Sequence, residues 1–235
     1  MLLARPFQTP NDGFSLIEVV VATAIIGITA ALIPPIVTLS VAARAQNQRV
    51  EQANLVAQGY IDLMRLRMER GLAGRTLAEF INDLDRLAPI HGAASLDAVP
   101  PPSASALRNA DLCILEGDLR SPDRTQLRRA PCRLDINNDG RPDFGIQAFR
   151  IRQQTAPNGR PLAFLFGVRV YSRAVVQGTY TGPLGTQPAS IRLGASESLS
   201  NPLAVQYGRV FMPDSPDSLG AICLSLGGSV TRCSP

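Results

Sequence analysis

The sequence predicts an α+β protein: one long N-terminal helix packed on a small antiparallel sheet. Three observations carry that expectation. Residues 13–39 read GFSLIEVVVATAIIGITAALIPPIVTL, and residues 19–43 contain no charged side chain. Residues 41–70 then continue with strong helix formers and an apolar i, i+3/i+4 pattern. From Leu112 onward the pattern changes to short runs rich in Val, Phe and Tyr, separated by turn residues.

The apolar run is long enough to span a bilayer core, for which about 20 residues suffice. Its one charge, Glu18, stands near its start, where an ionisable group without a partner is costly and so suggests function. Pro34 and Pro35 are expected to kink or locally melt the helix, because proline removes a backbone hydrogen bond and crowds the preceding turn. Leu55, Val56, Tyr60, Ile61, Leu63, Met64, Leu66 and Met68 form the apolar side of the second half, interspersed with charged residues, and Gly71 and Gly74 end it. Thr76 with Glu79 three residues later is a capping-box signature, so 76–87 reads as a second, short helix with Leu77, Phe80, Ile81, Leu84 and Leu87 on one face. Asp83 and Asp85 read as its solvated side. Residues 89–105 are rich in Pro, Ala, Ser and Gly and read as irregular loop, with His91 a solvated side chain near its start.

Strands are expected at 112–115, 144–153, 162–176, 205–212 and 222–226. Asn158-Gly159 lies between the second and third of these and predicts a hairpin that pairs 144–154 with 162–172. Residues 178–202, rich in Gly, Ser, Thr and Pro, read as surface loop.

Gly13, Phe14, Ser15, Leu16, Ile17 and Glu18, followed by the Val/Ala/Ile run, resemble the processing and methylation site of type IV pilins and pseudopilins. The resemblance implies cleavage by a membrane prepilin peptidase between Gly13 and Phe14 and methylation of the new amino terminus on Phe14. It implies that Glu18 pairs with that amino terminus on a neighbouring subunit, which buries two otherwise costly charges together. Pro35 falls about where the family carries a helix proline, and the pilin fold is the same helix-on-sheet architecture. Residues 58–71 are also similar to pseudopilins tied to polysaccharide secretion in cyanobacteria. An ordinary signal peptide fits less well, because its apolar core is shorter and its cleavage site follows that core.

The resulting organisation is a leader at 1–13, a transmembrane or filament-core helix at 14–43, an amphipathic continuation with a second helix at 44–88, and a sheet domain with loops at 89–235. The expected placement is the inner membrane, crossed once, with the C-terminal part periplasmic or extracellular. Expected partners are other pilins or pseudopilins, prepilin peptidase and the inner-membrane assembly platform.

The chain has 235 residues, a formal charge of +4, and only arginine among its 23 Lys+Arg positions. Without a clustered basic face this weak positive balance does not suggest nucleic-acid binding. Cys113, Cys132, Cys223 and Cys233 allow three connectivities; export favours disulfides and sequence proximity favours Cys113–Cys132 and Cys223–Cys233. The second pair would close a C-terminal loop similar to the terminal disulfide loop of many pilins.

Asp135, Asn137, Asp139 and Asp143 place oxygen side chains at positions 1, 3, 5 and 9 of a calcium-loop pattern, with Gly140 at position 6 and the Arg141 carbonyl at position 7. Ile146 stands where an EF-hand has its bidentate Glu. What remains resembles Asp-rich loops of extracellular calcium modules, and the expected cofactor is Ca2+ with a structural role. An ordinary turn is the alternative, since Asn-Asp-Gly and Arg-Pro favour turns without metal. No Gly-x-Ser-x-Gly, His-Glu-x-x-His or phosphate-binding glycine loop occurs, and His91 is the only histidine, so no catalysis is expected. The expected function is a minor pilin or pseudopilin. The alternatives are a minor pseudopilin of type II protein secretion and a membrane-anchored, calcium-binding adhesion or sensor domain that does not assemble.

Overall fold

A computed structural model describes residues 13, 15–72, 74–113, 130–189 and 197–212. The chain divides into two compact units, Met1–Gln46 and Asn47–Pro235. Helix α1 (Leu16–Arg70) runs from the first into the second, and its backbone stays helical through Pro34 and Pro35, so neither proline ends it. Local melting, one of the two expected effects, is absent there.

In the first unit the helix starts at Ser15, whose carbonyl accepts from the Val19 N–H (3.2 Å) and whose hydroxyl accepts from the Glu18 N–H (3.3 Å). Leu16, Ile17, Val19, Val20, Val21, Ile25, Ile26 and Ile28 are all exposed. Thr23 and Thr29 turn their hydroxyls back onto carbonyls of their own helix, Val19/Val20 and Ile25/Ile26, at 2.9–3.0 Å.

In the second unit α1 supplies Ala53, Ala57, Tyr60, Ile61, Met64 and Met68 to one core, at the three- and four-residue spacing of a helix face. Leu55, expected on that face, is 70% exposed instead. The helix stops at Arg70, and Gly71 (φ 51°) and Gly74 (φ 68°) take the left-handed conformation that a non-glycine residue resists. Helix α2 (Leu77–Leu87) carries the expected capping box: Thr76 accepts from the Glu79 N–H, and Glu79 accepts from the Thr76 N–H. It buries Phe80, Leu84 and Leu87, each of which contributes about 1.5–3 kcal/mol by leaving water.

The sheet has four antiparallel strands in chain order. They are β1 (Cys132–Leu134), β2 (Phe144–Thr155), β3 (Pro161–Tyr171) and β4 (Ala204–Phe211). The β2–β3 hairpin turns at Gly159 (φ 81°), as Asn158-Gly159 predicts, and Ile146 lies opposite Val170 and Ala148 opposite Val168. A bulge after Ile151 puts Arg152 at φ 51°, a left-handed conformation costing about 1–2 kcal/mol for a non-glycine residue. Ile146, Ala148, Phe166, Val168, Val170 and Val210 pack with α1 and α2. Tyr60 stacks on Phe166 with centroids 6.4 Å apart and donates to the Leu87 carbonyl at 3.2 Å. Burial holds its phenol well above the usual tyrosine range.

The opposite face of the sheet is covered too. Val99 packs on Phe149 and Ile151, and α3 (Ala104–Arg108) with α4 (Arg173–Val176) packs on Tyr171. A further short helix, α5 (Glu197–Ser200), precedes β4. Several expected boundaries shift. The run 162–176 is not one strand: it ends at Tyr171 and becomes α4 after Ser172. Leu112 forms only an isolated bridge to Arg133, and the loop expected at 89–105 gives way to α3 at Ala104. The strand expected at 222–226 and the cysteines Cys223 and Cys233 lie outside the described residues.

Candidate functional site

Two regions combine chemistry-bearing residues: the N-terminal end of α1 and the loop between β1 and β2. At the first, Gly13 is exposed, and among the described residues nothing stands within 4 Å of a side chain built on it. Phe14 lies outside the described residues. Glu18 occupies the first helical turn, where the helix dipole favours a negative charge, and its backbone N–H is held by Ser15. Sequence reasoning missed that role for Ser15, although Ser-x-x-Glu is itself the spacing of a helix start. Among the described residues, no helix is long and apolar enough to cross a membrane; within the uncharged run, the side chains of 32–36 and 39 lie outside that set.

The second region runs from the end of β1 to the start of β2. Cys132 of β1 is disulfide-bonded to Cys113, with Cα atoms 5.0 Å apart, which ties the end of the 89–113 stretch to the sheet edge. Asp135 accepts from the N–H groups of Asp139 (3.3 Å) and Gly140 (2.8 Å). Asn137 Oδ1 accepts from the Asp139 N–H (3.2 Å) and its Nδ2 donates to Asp139 Oδ2 (3.0 Å). Asp139 Oδ1 accepts from the Arg141 N–H at 2.8 Å. Asp143 turns to the Ile136 N–H, 3.1 Å away. Asn138 (φ 56°) and Gly140 (φ 81°) supply the left-handed residues that fold the loop back on itself. The Arg141 N–H, then the Asn137 amide, hold the Asp139 carboxyl below its usual pKa.

The loop therefore brings Asp135, Asn137 and Asp139 together around its own backbone donors. Each carboxylate oxygen retains a second lone pair. Among the described residues, no group of three or more Asp, Glu, His or Cys side chains gathers as a cation site.

Several charged residues elsewhere tie elements of the fold together. Asp83, read from sequence as solvated, sits between Arg75 (2.8 Å) and Arg67 (3.9 Å) with all three side chains largely buried. Asp85 receives Arg150 at 2.5 Å, and that arginine is 1% exposed. Burial lowers the Arg150 pKa, and Asp85 raises it. His91 is half-buried with its ring edge-on to Phe149, not free in solvent. None of these groups forms a nucleophile–base pair open to substrate.

Residues 10–34 match the family model described as a prokaryotic N-terminal methylation motif. The match spans Gly13, Phe14 and Glu18, so the N-terminal stretch of the chain is similar to that of type IV pilin-like prepilins. The α+β layout of the remainder is pilin-like. No curated protein and no solved structure matches the chain.

Proposed function

We propose that the chain is a minor pilin or pseudopilin, a non-catalytic subunit of an envelope-spanning type IV pilus-like or secretion filament. The N-terminal motif carries this reading: an exposed Gly13, an apolar Phe14, and Glu18 as the lone charge of the run that follows. Prepilin peptidase cuts after Gly13 and the amino terminus of Phe14 is methylated. The 14–43 helix crosses the inner membrane once, with the C-terminal part outside, until the assembly platform draws it into the filament. Thr23 and Thr29 support that placement, because their hydroxyls bond within the helix and need no partner in lipid. Glu18 pairs with the Phe14 amino terminus of a neighbour; a carboxylate left unpaired at membrane depth would cost about 2.5–3.5 kcal/mol or more. The domain beyond the helix, larger than simple coating requires, favours an initiating or tip position. Polysaccharide secretion, motility and type II protein secretion are alternative settings for the same subunit.

Intact mass and N-terminal sequencing of the membrane-extracted protein test the processing. A chain beginning at methylated Phe14 supports the assignment, and one beginning at Met1 overturns it in favour of a non-assembling anchored domain. Glu18→Ala should abolish recovery in the sheared filament fraction while leaving cleavage intact; unchanged recovery refutes the role in assembly.

We also propose that the 135–143 loop takes Ca2+, held by the side chains of Asp135, Asn137, Asp139 and Asp143 and the Arg141 carbonyl. The left-handed Asn138 and Gly140 and the clustered oxygens favour it. The metal would neutralise the loop and fix the β1–β2 connection. Ca2+ should raise the melting temperature of the parent but not of Asp135→Ala/Asp139→Ala, and a parent without a shift refutes the site.

A further inference from the structure

The 89–103 segment crosses the face of the sheet that α1 does not cover, and arginines hold it there by its backbone carbonyls. Arg169 of β3, 0% exposed, donates from Nη1 to the Val99 carbonyl (2.8 Å) and to Gln147 Oε1 (3.2 Å). Its Nη2 reaches the Leu96 carbonyl at 3.2 Å. Arg152, in the bulge of β2, donates to the Ala94 carbonyl at 2.6 Å, and Arg150 donates to Ala88 just ahead of the segment at 3.0 Å. Beneath lie Phe149 and Ile151, on which Val99 of the segment packs.

His91 is part of this arrangement. Its backbone N–H donates to the Arg150 carbonyl at 2.8 Å, and its ring meets Phe149 edge-on at 6.2 Å. The guanidinium of Arg169 lies over the same Phe149 ring, 4.8 Å from its centroid. Arg169 and Arg152 therefore hold the segment from the sheet, while the Arg150 side chain lies on the opposite face with Asp85 and Phe164. The carboxylates nearby already serve other donors: Asp85 on α2 receives Arg150, and Asp97 accepts from the Tyr207 hydroxyl of β4 at 2.7 Å. Burial first, then Arg169, lowers the His91 pKa.

We infer that the 89–103 segment is a pH-responsive strap, loosened from the sheet when His91 takes up a proton. The neutral ring packs on Phe149; the imidazolium adds a third positive charge to a face already carrying Arg169 and Arg152. Loosening uncovers Phe149, Ile151 and Leu165, an apolar strip on the sheet. The inference stands on the geometry of this face and does not depend on the filament reading.

Hydrogen–deuterium exchange of the full chain in detergent micelles, at about pH 8 and about pH 5.5 so as to span the ordinary histidine range, tests it. After correction for intrinsic exchange rates, peptides covering 88–100 should exchange about fivefold faster at the lower pH, the lower end of coupling between linked sites, while β3 peptides stay protected. His91→Gln should remove the difference, and His91→Arg should leave the strap fast at both pH values. Equal protection of the parent at both pH values refutes the inference. So does a His91→Gln strap that loosens like the parent; that comparison decides even if His91→Arg does not fold.

Discussion

Gly167 is the position where adding one carbon should be most informative. It lies in the middle of β3, opposite Phe149 on β2 and Tyr207 on β4. A Cβ built there would stand 2.5 Å from Phe149 Cζ, 2.6 Å from Cε2 and 3.1 Å from Tyr207 Cδ1. Ordinary carbon–carbon contact is about 3.5–4.0 Å, so Gly167→Ala overlaps the phenyl ring by roughly 1 Å. The ring has no easy retreat: Arg169 lies over it, His91 stands at its edge and Val99 packs against it. Overpacking of a close-packed site costs typically about 1–3 kcal/mol. For a folded unit of this size that lowers the melting temperature by about 2–4 °C per kcal/mol, or roughly 2–12 °C. Thermal denaturation in detergent reads the shift. The double variant Gly167→Ala/Phe149→Leu should show favourable coupling, because the smaller side chain vacates the contested volume. A melting temperature within about 1 °C of the parent for Gly167→Ala alone would refute the reasoning, since it would mean Phe149 moves freely under its arginine.

Three more predictions address the helices and the loop. Thr76→Ala removes one half of the capping box and should cost about 1 kcal/mol, measured by denaturant unfolding; no change would mean the box adds nothing to α2. Asp83→Asn leaves Arg67 and Arg75 without their shared carboxylate in a largely buried setting and should destabilise by about 3 kcal/mol in the same assay, whereas a cost under about 1 kcal/mol would class the triad with surface pairs. The Asp139 carboxyl, held low chiefly by the Arg141 N–H and the Asn137 amide, should titrate below a free aspartate by carboxyl NMR. Because its folded pKa is depressed, its stabilising effect is complete above the unfolded pKa and is lost as pH falls through the folded value; Asn137→Ala should raise that pKa, and an unchanged titration would refute the assigned cause.

Local signals were legible in the sequence. The capping box at Thr76 and Glu79, the turn at Asn158-Gly159 and the glycines after Arg70 each act over a few residues, so the residue types suffice to place them. The apolar stripe of α1 was legible for Tyr60, Ile61, Met64 and Met68 because helical periodicity is intrinsic to the chain. What was not legible depends on partners distant in sequence. Arg169 looks like the solvent-facing half of an alternating strand and Arg150 falls in step with Ile146 and Ala148; only the 85–99 stretch, 62 to 73 residues away, turns them into buried donors to carboxylate and carbonyl oxygens. Asp83 misled for the same reason: helix periodicity puts it off the apolar face, but Arg75 and Arg67 close over it. Strand β1 escaped notice because three residues carry too little periodicity, and the Leu112 bridge took its expected place.

Strand β4 also constrains when the second unit becomes a folded body. Gln206 donates to the Asn54 carbonyl across 152 residues of sequence, and Ile61 lies beside Gly208, 3.6 Å from where a Cβ would be. The helix thus meets this sheet partner only after about 150 further residues have been made. Such long-range closure is slow compared with helix formation, because the entropy of bringing distant segments together must be overcome before their contacts contribute. Until β4 arrives, the Ile61 side of the helix and the open edge of β3 stay uncovered, the state in which multi-element chains are most exposed to aggregation and proteases. Chains truncated ahead of Ala204 should therefore be cleared by proteases rather than accumulate.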